Sequence, residues 1–209
     1  MSKPNLILIG AGGHARACID AVEQEGNYKI VGLVGLAQEV GSKHFSYDVI
    51  ATDAEMRELV EHYQFALITI GQIQSAEHRI RLYAQAQDAG FTFPTVIAPT
   101  AYVSPHSTIG KGTIVMHGAV INAGALVGNN CIINSKSLVE HDAYVADHCH
   151  ISTGATLNGN TSIGAGTFIG SRAVIKEGVS IGANSLVGMG LMVRHNIANN
   201  EKYLGLTTI

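Results

Sequence analysis

Three clusters of residues in this chain have the types and spacing for chemistry. The first is Gly10-Ala11-Gly12-Gly13-His14-Ala15, a G-x-G-x-x-A pattern after an apolar run and before an amphipathic segment. Glycines permit a tight turn there, and the start of a helix offers free N–H groups to a phosphate or pyrophosphate. A purely structural glycine turn is the alternative. The second, Val139-Glu140-His141-Asp142, sets an imidazole among carboxylates. The third, His148-Cys149-His150, has residue types that could hold a metal. The cysteines, Cys18, Cys131 and Cys149, are odd in number and lack C-x-x-C spacing, which fits reduced thiols in a cytosolic protein.

The elements that must position these clusters fall into two halves. The chain has 209 residues, 46% hydrophobic and 14% charged, so it is globular and long enough for two small domains. A net charge of -3 without runs of Lys or Arg argues against nucleic acid or an anionic membrane as partner. No apolar stretch approaches the roughly 18 residues of a membrane span, and no signal peptide is read. In the N-terminal half, strands are expected at 5–10, 29–34, 65–70 and 92–98, and helices near 14–25, 53–62 and 75–90. These make a small Rossmann-like parallel sheet, an α/β domain over 1–98. A dinucleotide site also wants an acid ending the second strand, to hold a ribose. Gly32-Leu33-Val34-Gly35-Leu36-Ala37 has none, which argues against NAD.

The second half repeats. Stepping by six from Val103 to Val193 meets Ile, Val or Leu at all 16 positions without an insertion. Two residues before each, the side chain is usually small, as at Ala119, Cys131, Ser137, Cys149, Thr161 and Thr167. A period of six fits neither an α-helix nor a flat amphipathic strand. It fits a three-sided coil with one large inward residue per side and glycine or asparagine at corners of positive φ. Eighteen residues then close one coil of a parallel β-helix, stabilised by stacking on its neighbours. Cys131 and Cys149 fall at small interior positions and are expected to pack.

This repeat, with the Gly10–Ala15 loop, Glu140-His141-Asp142 and His150-Ile151-Ser152, resembles the hexapeptide-repeat sugar acyltransferases of bacterial surface-polysaccharide biosynthesis, over roughly 5–195. The family includes nucleotide-amino-sugar N-acetyltransferases and sialic acid O-acetyltransferases. The resemblance implies a left-handed β-helix over 99–195, a sugar-nucleotide-binding domain before it, and a tail over 196–209. It also implies acetyl-CoA as co-substrate, a homotrimer, and an active site between neighbouring coils. His141 matches the catalytic base, and Asp142 the acid that orients it. Gly159 matches a glycine whose N–H faces the thioester carbonyl. Gly10, Gly12, Gly13 and His14 match the loop holding the sugar nucleotide's phosphates, and His150 a histidine contacting the acceptor. The coil period supports Gly159 independently: it lies 18 residues past His141, and Ala123 lies 18 before. Glu140 should stack between Asn122 and Asn158.

This chain departs from the family in its second strand, which lacks the usual acids near the base. It also differs in Gly71-Gln72-Ile73-Gln74, and in its end, where Tyr203-Leu204-Gly205-Leu206-Thr207-Thr208-Ile209 replaces a Gly-x-Pro-Ala segment near CoA. The expected reaction is acetyl transfer from acetyl-CoA to the amine of a UDP- or GDP-linked 4-amino sugar in the cytoplasm. His141 serves as general base and no metal is needed. The phosphate-type loop with His14 favours this over sialic acid O-acetylation. Two further readings are a zinc enzyme resembling the γ-class carbonic anhydrases, which share the coil, and a non-catalytic sugar-nucleotide-binding trimer. Cys149 points inward by register, which weakens the zinc reading, and the His141-Asp142 pair beside Gly159 weakens the scaffold reading. His44, His62, His78, His106 and His195 read as surface or loop residues.

Overall fold

A computed structural model of the protein describes residues 3–205. It divides into two compact units: residues up to Gly71 with His78–Pro99, and Gln72–Glu77 with the chain from Thr100 onward.

The first unit is built on strands β1 (Asn5–Ile9), β2 (Lys29–Gly35), β3 (Lys43–His44), β4 (Tyr47–Thr52) and β5 (Phe65–Ile68), in the order β3-β4-β2-β1-β5. The four strands from β4 to β5 are parallel, and β3 pairs antiparallel at the edge. Leu6 to Ile9 are all buried, as a central parallel strand covered on both faces requires. Helix α1 (Gly13–Glu25) buries Ala15, Cys18, Ile19 and Val22 along one stripe. It ends at Gly26, whose φ of 74° suits the left-handed cap. Helix α3 (Glu77–Ala89) adds Leu82 and Ala86 to a core with Ile7, Ile9, Ile68 and Phe91. The chain runs outward from β1 through β2 to β4 and returns to β5 on β1's other side. The mouth of the sheet therefore lies beyond the C-terminal ends of β1 and β5.

Two expected elements differ, and two strands are added. The segment 92–98 keeps only β6 (Val96–Ile97) and an isolated bridge from Thr92 to Phe65, because Pro94 has no N–H for a ladder. The helix near 53–62 shrinks to a 3-10 turn, Asp53–Glu55, and one α-turn, α2 (Met56–Leu59). Strands β3 and β4 were not anticipated; β4 inserts only Val49 and Ala51, too short an alternation to stand out.

The second unit is a parallel β-helix of two-residue strands. Val120–Ile121, Leu138–Val139, Thr156–Leu157 and Val174–Ile175 pair in parallel at steps of 18 residues. The other two sides follow the same step, as in Leu126–Val127 with Tyr144–Val145 and Ile132–Ile133 with His150–Ile151. From Val115 to Val193 every sixth residue is buried, none more than 4% exposed. Corners recur at 18-residue intervals on three edges. They are occupied by glycines and by Asn130, Lys136, Asp142, His148, Asn160, Arg172 and Asn184, all at positive φ. Asparagine, aspartate and histidine tolerate this region best among non-glycine residues; Lys136 and Arg172 are held there by the register. The pairing continues past 195: Lys202–Tyr203 lies parallel to Leu186–Val187.

An interior ladder fastens one corner. Thr113, Cys131, Cys149, Thr167 and Ser185 stand one above another at 18-residue steps. They donate to the carbonyls of Gly128, Ala146, Gly164, Gly182 and Ala198, at 2.8, 3.2, 3.1, 2.7 and 2.8 Å. The two thiols thus occupy hydroxyl positions in a repeating hydrogen-bond scheme.

Candidate active site

The first unit opens a cleft of about 390 Å³ at the mouth of its sheet. One wall is the turn after β1. Gly10 has φ +121°, and a Cβ there would collide with Ile70, so glycine is required. The Thr69 hydroxyl donates to the Gly10 carbonyl at 2.7 Å and fixes the turn to β5. Gly12 and Gly13 face open space and lead into α1, whose first turn carries no acidic side chain. The cleft therefore presents the positive end of a 13-residue helix. His14 lines it too; burial, helped by the charge of Arg79, lowers its pKa to about 4. It is a neutral imidazole and offers a hydrogen bond instead of a charge. Glu39, Asp53, His78 and Arg81 also line the cleft. Arg81 is steadied by Gln85 at 3.0 Å, His78 Nδ1 at 2.9 Å and Asp53 at 3.4 Å.

His78 is a surface residue, as expected, and borders the cleft. Although β2 ends without an acid, Glu39 folds back through a 3-10 turn, and its Oε2 accepts the Leu36 N–H at 2.8 Å. The usual Ser/Thr-x-x-Glu signature is absent, since Leu36 occupies the cap, so nothing in the local pattern marks this return.

On the coil, His141 and Asp142 form the corner after Leu138–Val139. Asp142 takes φ 58°, and its Oδ2 lies 2.9 Å from His141 Nδ1. An ionised carboxylate only accepts, so Nδ1 carries the proton and Nε2 keeps the lone pair. That hydrogen bond is the main cause raising the His141 pKa above its ordinary value, with the charges of Asp142 and Glu140 adding to it. The ring lies against Gly159: a Cβ on that residue would stand 2.6 Å from Nε2 and 2.7 Å from Cε1. The stacking expected from the 18-residue step is present. Gly124, one coil before Asp142, makes room in the same way, since a Cβ there would overlap Asp142 Oδ1. The step of 18 applied to Asp142 would have found it. Glu140 Oε2 accepts from Asn122 Nδ2 at 2.8 Å and from the His141 N–H at 3.1 Å. Asn158 turns away to the Ile175 carbonyl at 2.7 Å, so the ladder holds Glu140 from one side only. Glu140, His141, Asn158 and Gly159, with Asn160, Glu177 and Gly178, line an open groove of about 610 Å³.

His150 is placed differently. It faces outward on another side of the coil, 7% exposed. Its Nδ1 donates to the Gln72 carbonyl at 2.8 Å, and Asn134 Nδ2 lies 3.1 Å from Nε2. Phe168 meets its ring edge at 5.1 Å. Gln72 also donates to the Gly166 carbonyl at 2.9 Å, so His150 anchors the 72–77 segment on the coil. Cys149 is fully buried and donates inward, as its register required, while His148 Nδ1 meets Asn130 Nδ2 at 3.0 Å. Among the described residues no three His, Cys, Asp or Glu side chains converge as metal ligands, and no helix is long and apolar enough to cross a membrane. The departures noted at 206–209 lie outside the described residues.

An α/β domain joined to a hexapeptide-repeat coil with an imidazole on its rim defines the class of the β-helix acyltransferases. Residues 5–84 match the model of the PglD N-terminal domain, and residues 160–194 that of the hexapeptide repeat of succinyl-transferase. PerB from Caulobacter crescentus, solved with CoA and GDP-perosamine, is 30% identical. The match covers 95% of this chain and 92% of that one, with a TM-score of 0.88. A histidine-to-asparagine variant of perosamine N-acetyltransferase from the same organism reaches a TM-score of 0.91 at 29% identity, over 98% and 95% of the two chains. The acetyltransferase domain of PglB from Neisseria gonorrhoeae, solved with acetyl coenzyme A, gives 0.87 at 29% identity, over 96% of each chain. Comparison with curated protein sequences returns no match. The chain belongs to the hexapeptide-repeat sugar acyltransferase family.

Proposed function

We propose that the protein transfers an acetyl group from acetyl-CoA to the amine of a nucleotide-linked amino sugar. The observation that carries this is the imidazole of His141, held by Asp142 through Nδ1 and lying with Nε2 against a glycine. In this mechanism Nε2 takes a proton as the neutral amine attacks the thioester carbonyl. The carbonyl oxygen becomes an oxyanion, for which the Gly159 N–H is the candidate donor; such a donor can contribute roughly 3 kcal/mol. Collapse breaks the C–S bond, the imidazolium returns its proton to the thiolate, and the products are an amide and CoA. Asp142 stabilises the imidazolium while it exists. No covalent enzyme intermediate is required.

The first unit's cleft supports a nucleotide diphosphate: a helix N-terminus, bare glycines and a neutral His14 suit its oxygens. The relatives solved with GDP-perosamine support the amine over a hydroxyl acceptor. A homotrimer is supported by the row Tyr102, Val120, Leu138, Thr156, Val174 and Met192. These residues follow one another on the outer side of one sheet, with Tyr102 55% and Met192 57% exposed. Such a row is the kind of surface that copies of a chain cover. A cytoplasmic setting follows from the substrates. His150 acts in this scheme by anchoring residues 72–77. The test is thiol release from acetyl-CoA against a panel of GDP- and UDP-linked 4-amino sugars. Turnover with at least one, cut about 100-fold or more in His141→Ala, is expected. No turnover with any amine, but turnover with a sialic acid, would shift the assignment to O-acetylation.

A further inference from the structure

The cleft of the first unit contains an acid that neither the proposed chemistry nor the glycine loop uses. Glu39 sits past the end of β2, beside the loop after β1. The two meet over Gly35: a Cβ on that glycine would stand 2.8 Å from Glu39 Oε2 and 3.1 Å from the Ala11 Cβ. Gly35 thus lets the carboxylate come in against the loop. The Leu36 N–H at 2.8 Å and the Glu39 N–H bond to the Leu36 carbonyl, also 2.8 Å, lock the side chain in this return. A carboxylate has about four acceptor positions, so one such bond leaves others for a ligand in the cleft.

In parallel sheets that bind nucleotides, phosphates lie on the loop after the first strand, and an acid at the end of the second accepts from the ribose hydroxyls. Here the strand end is Gly35-Leu36 and the acid arrives from four residues beyond Gly35. We infer that Glu39 is the ribose-binding residue of the acceptor site and makes the enzyme selective for ribonucleotide-linked over deoxyribonucleotide-linked sugars. This rests on the reading of the cleft as the nucleotide-diphosphate site. A carboxylate that accepts from a 2′-hydroxyl loses a charge-assisted hydrogen bond when that hydroxyl is missing, which is worth about tenfold or more in affinity. Asp53 follows β4, not β2, and is paired with Arg81 at 3.4 Å.

The test is titration of the full-length protein with GDP, UDP and their 2′-deoxy counterparts, in wild type, Glu39→Gln and Glu39→Ala. Glutamine can keep the Leu36 contact through its amide oxygen, so it separates ligand binding from local folding. Expected is a ribo-over-deoxy preference of about tenfold or more in wild type, for both bases, falling to within about threefold in the variants. Equal binding of ribo and deoxy forms by wild type would overturn the assignment. So would variants that keep the full preference, or that change only the ratio of GDP to UDP, which would place Glu39 at the base. Binding of none of the four would overturn the nucleotide-site reading itself and this inference with it.

Discussion

Replacing Gly159 with alanine should disable the enzyme while leaving the fold intact. Gly159 is not among the glycines at positive φ, so an alanine backbone is permitted there. Its Cβ, however, would stand 2.6 Å from His141 Nε2 and 2.7 Å from Cε1. Carbon and ring atoms rest at about 3.5 Å, so the imidazole must withdraw by about 1 Å. The His141 side chain is 64% exposed, and nothing buried resists the swing. The stability cost should therefore stay below about 1 kcal/mol, the range of surface substitutions. A misplacement of about 1 Å at the reacting groups can cost about 100-fold in rate. Thiol release at saturating acetyl-CoA should accordingly show kcat down by about 100-fold, with an unchanged melting transition. In a His141→Ala background the same glycine change should cost little, because the clashing ring is gone; such non-additivity marks groups that act as a unit. A Gly159→Ala enzyme within about threefold of wild-type kcat would refute the reasoning, as would full additivity of the two changes.

Asp142→Asn removes the carboxylate whose charge-assisted hydrogen bond raises the His141 pKa. The acid limb of kcat/KM, which sits above the ordinary imidazole value of about 6.5 in wild type, should move down toward it, with kcat lower by about tenfold or more. His14, lowered to about 4 by burial, should stay neutral in the folded protein above pH 5. Because the unfolded chain takes up that proton near pH 6.5, stability should fall as pH drops from there toward 4. The loss is of order ~3 kcal/mol and should be absent in His14→Gln, as read by denaturant melts. Cys131→Ser should be nearly neutral, since serine keeps the donor to the Ala146 carbonyl. Cys131→Val should cost about 1–3 kcal/mol by leaving that carbonyl without it; equal melting of the two would deny the ladder a structural role.

The coil and its register were legible in the amino-acid order because a solenoid is nearly one-dimensional. Residue i meets residue i+18, so Val115, Ile133 and Ile151 stack as their spacing dictates, and His141 over Gly159 follows from the same step. The glycine loop after β1 was equally readable, because Gly10 at φ +121° leaves no other choice of residue. Glu39 was not legible. Its place depends on a 3-10 return that no capping signature announces, and on Gly35 leaving space beside Ala11. The burial of His150 under the Gln72 carbonyl likewise joins positions 78 residues apart, with no period linking them. Sequence by itself determined what repeats along the chain. Tertiary structure decided which side chains from non-repeating segments come to lie against it, because those contacts depend on where loops return, and pattern does not encode that.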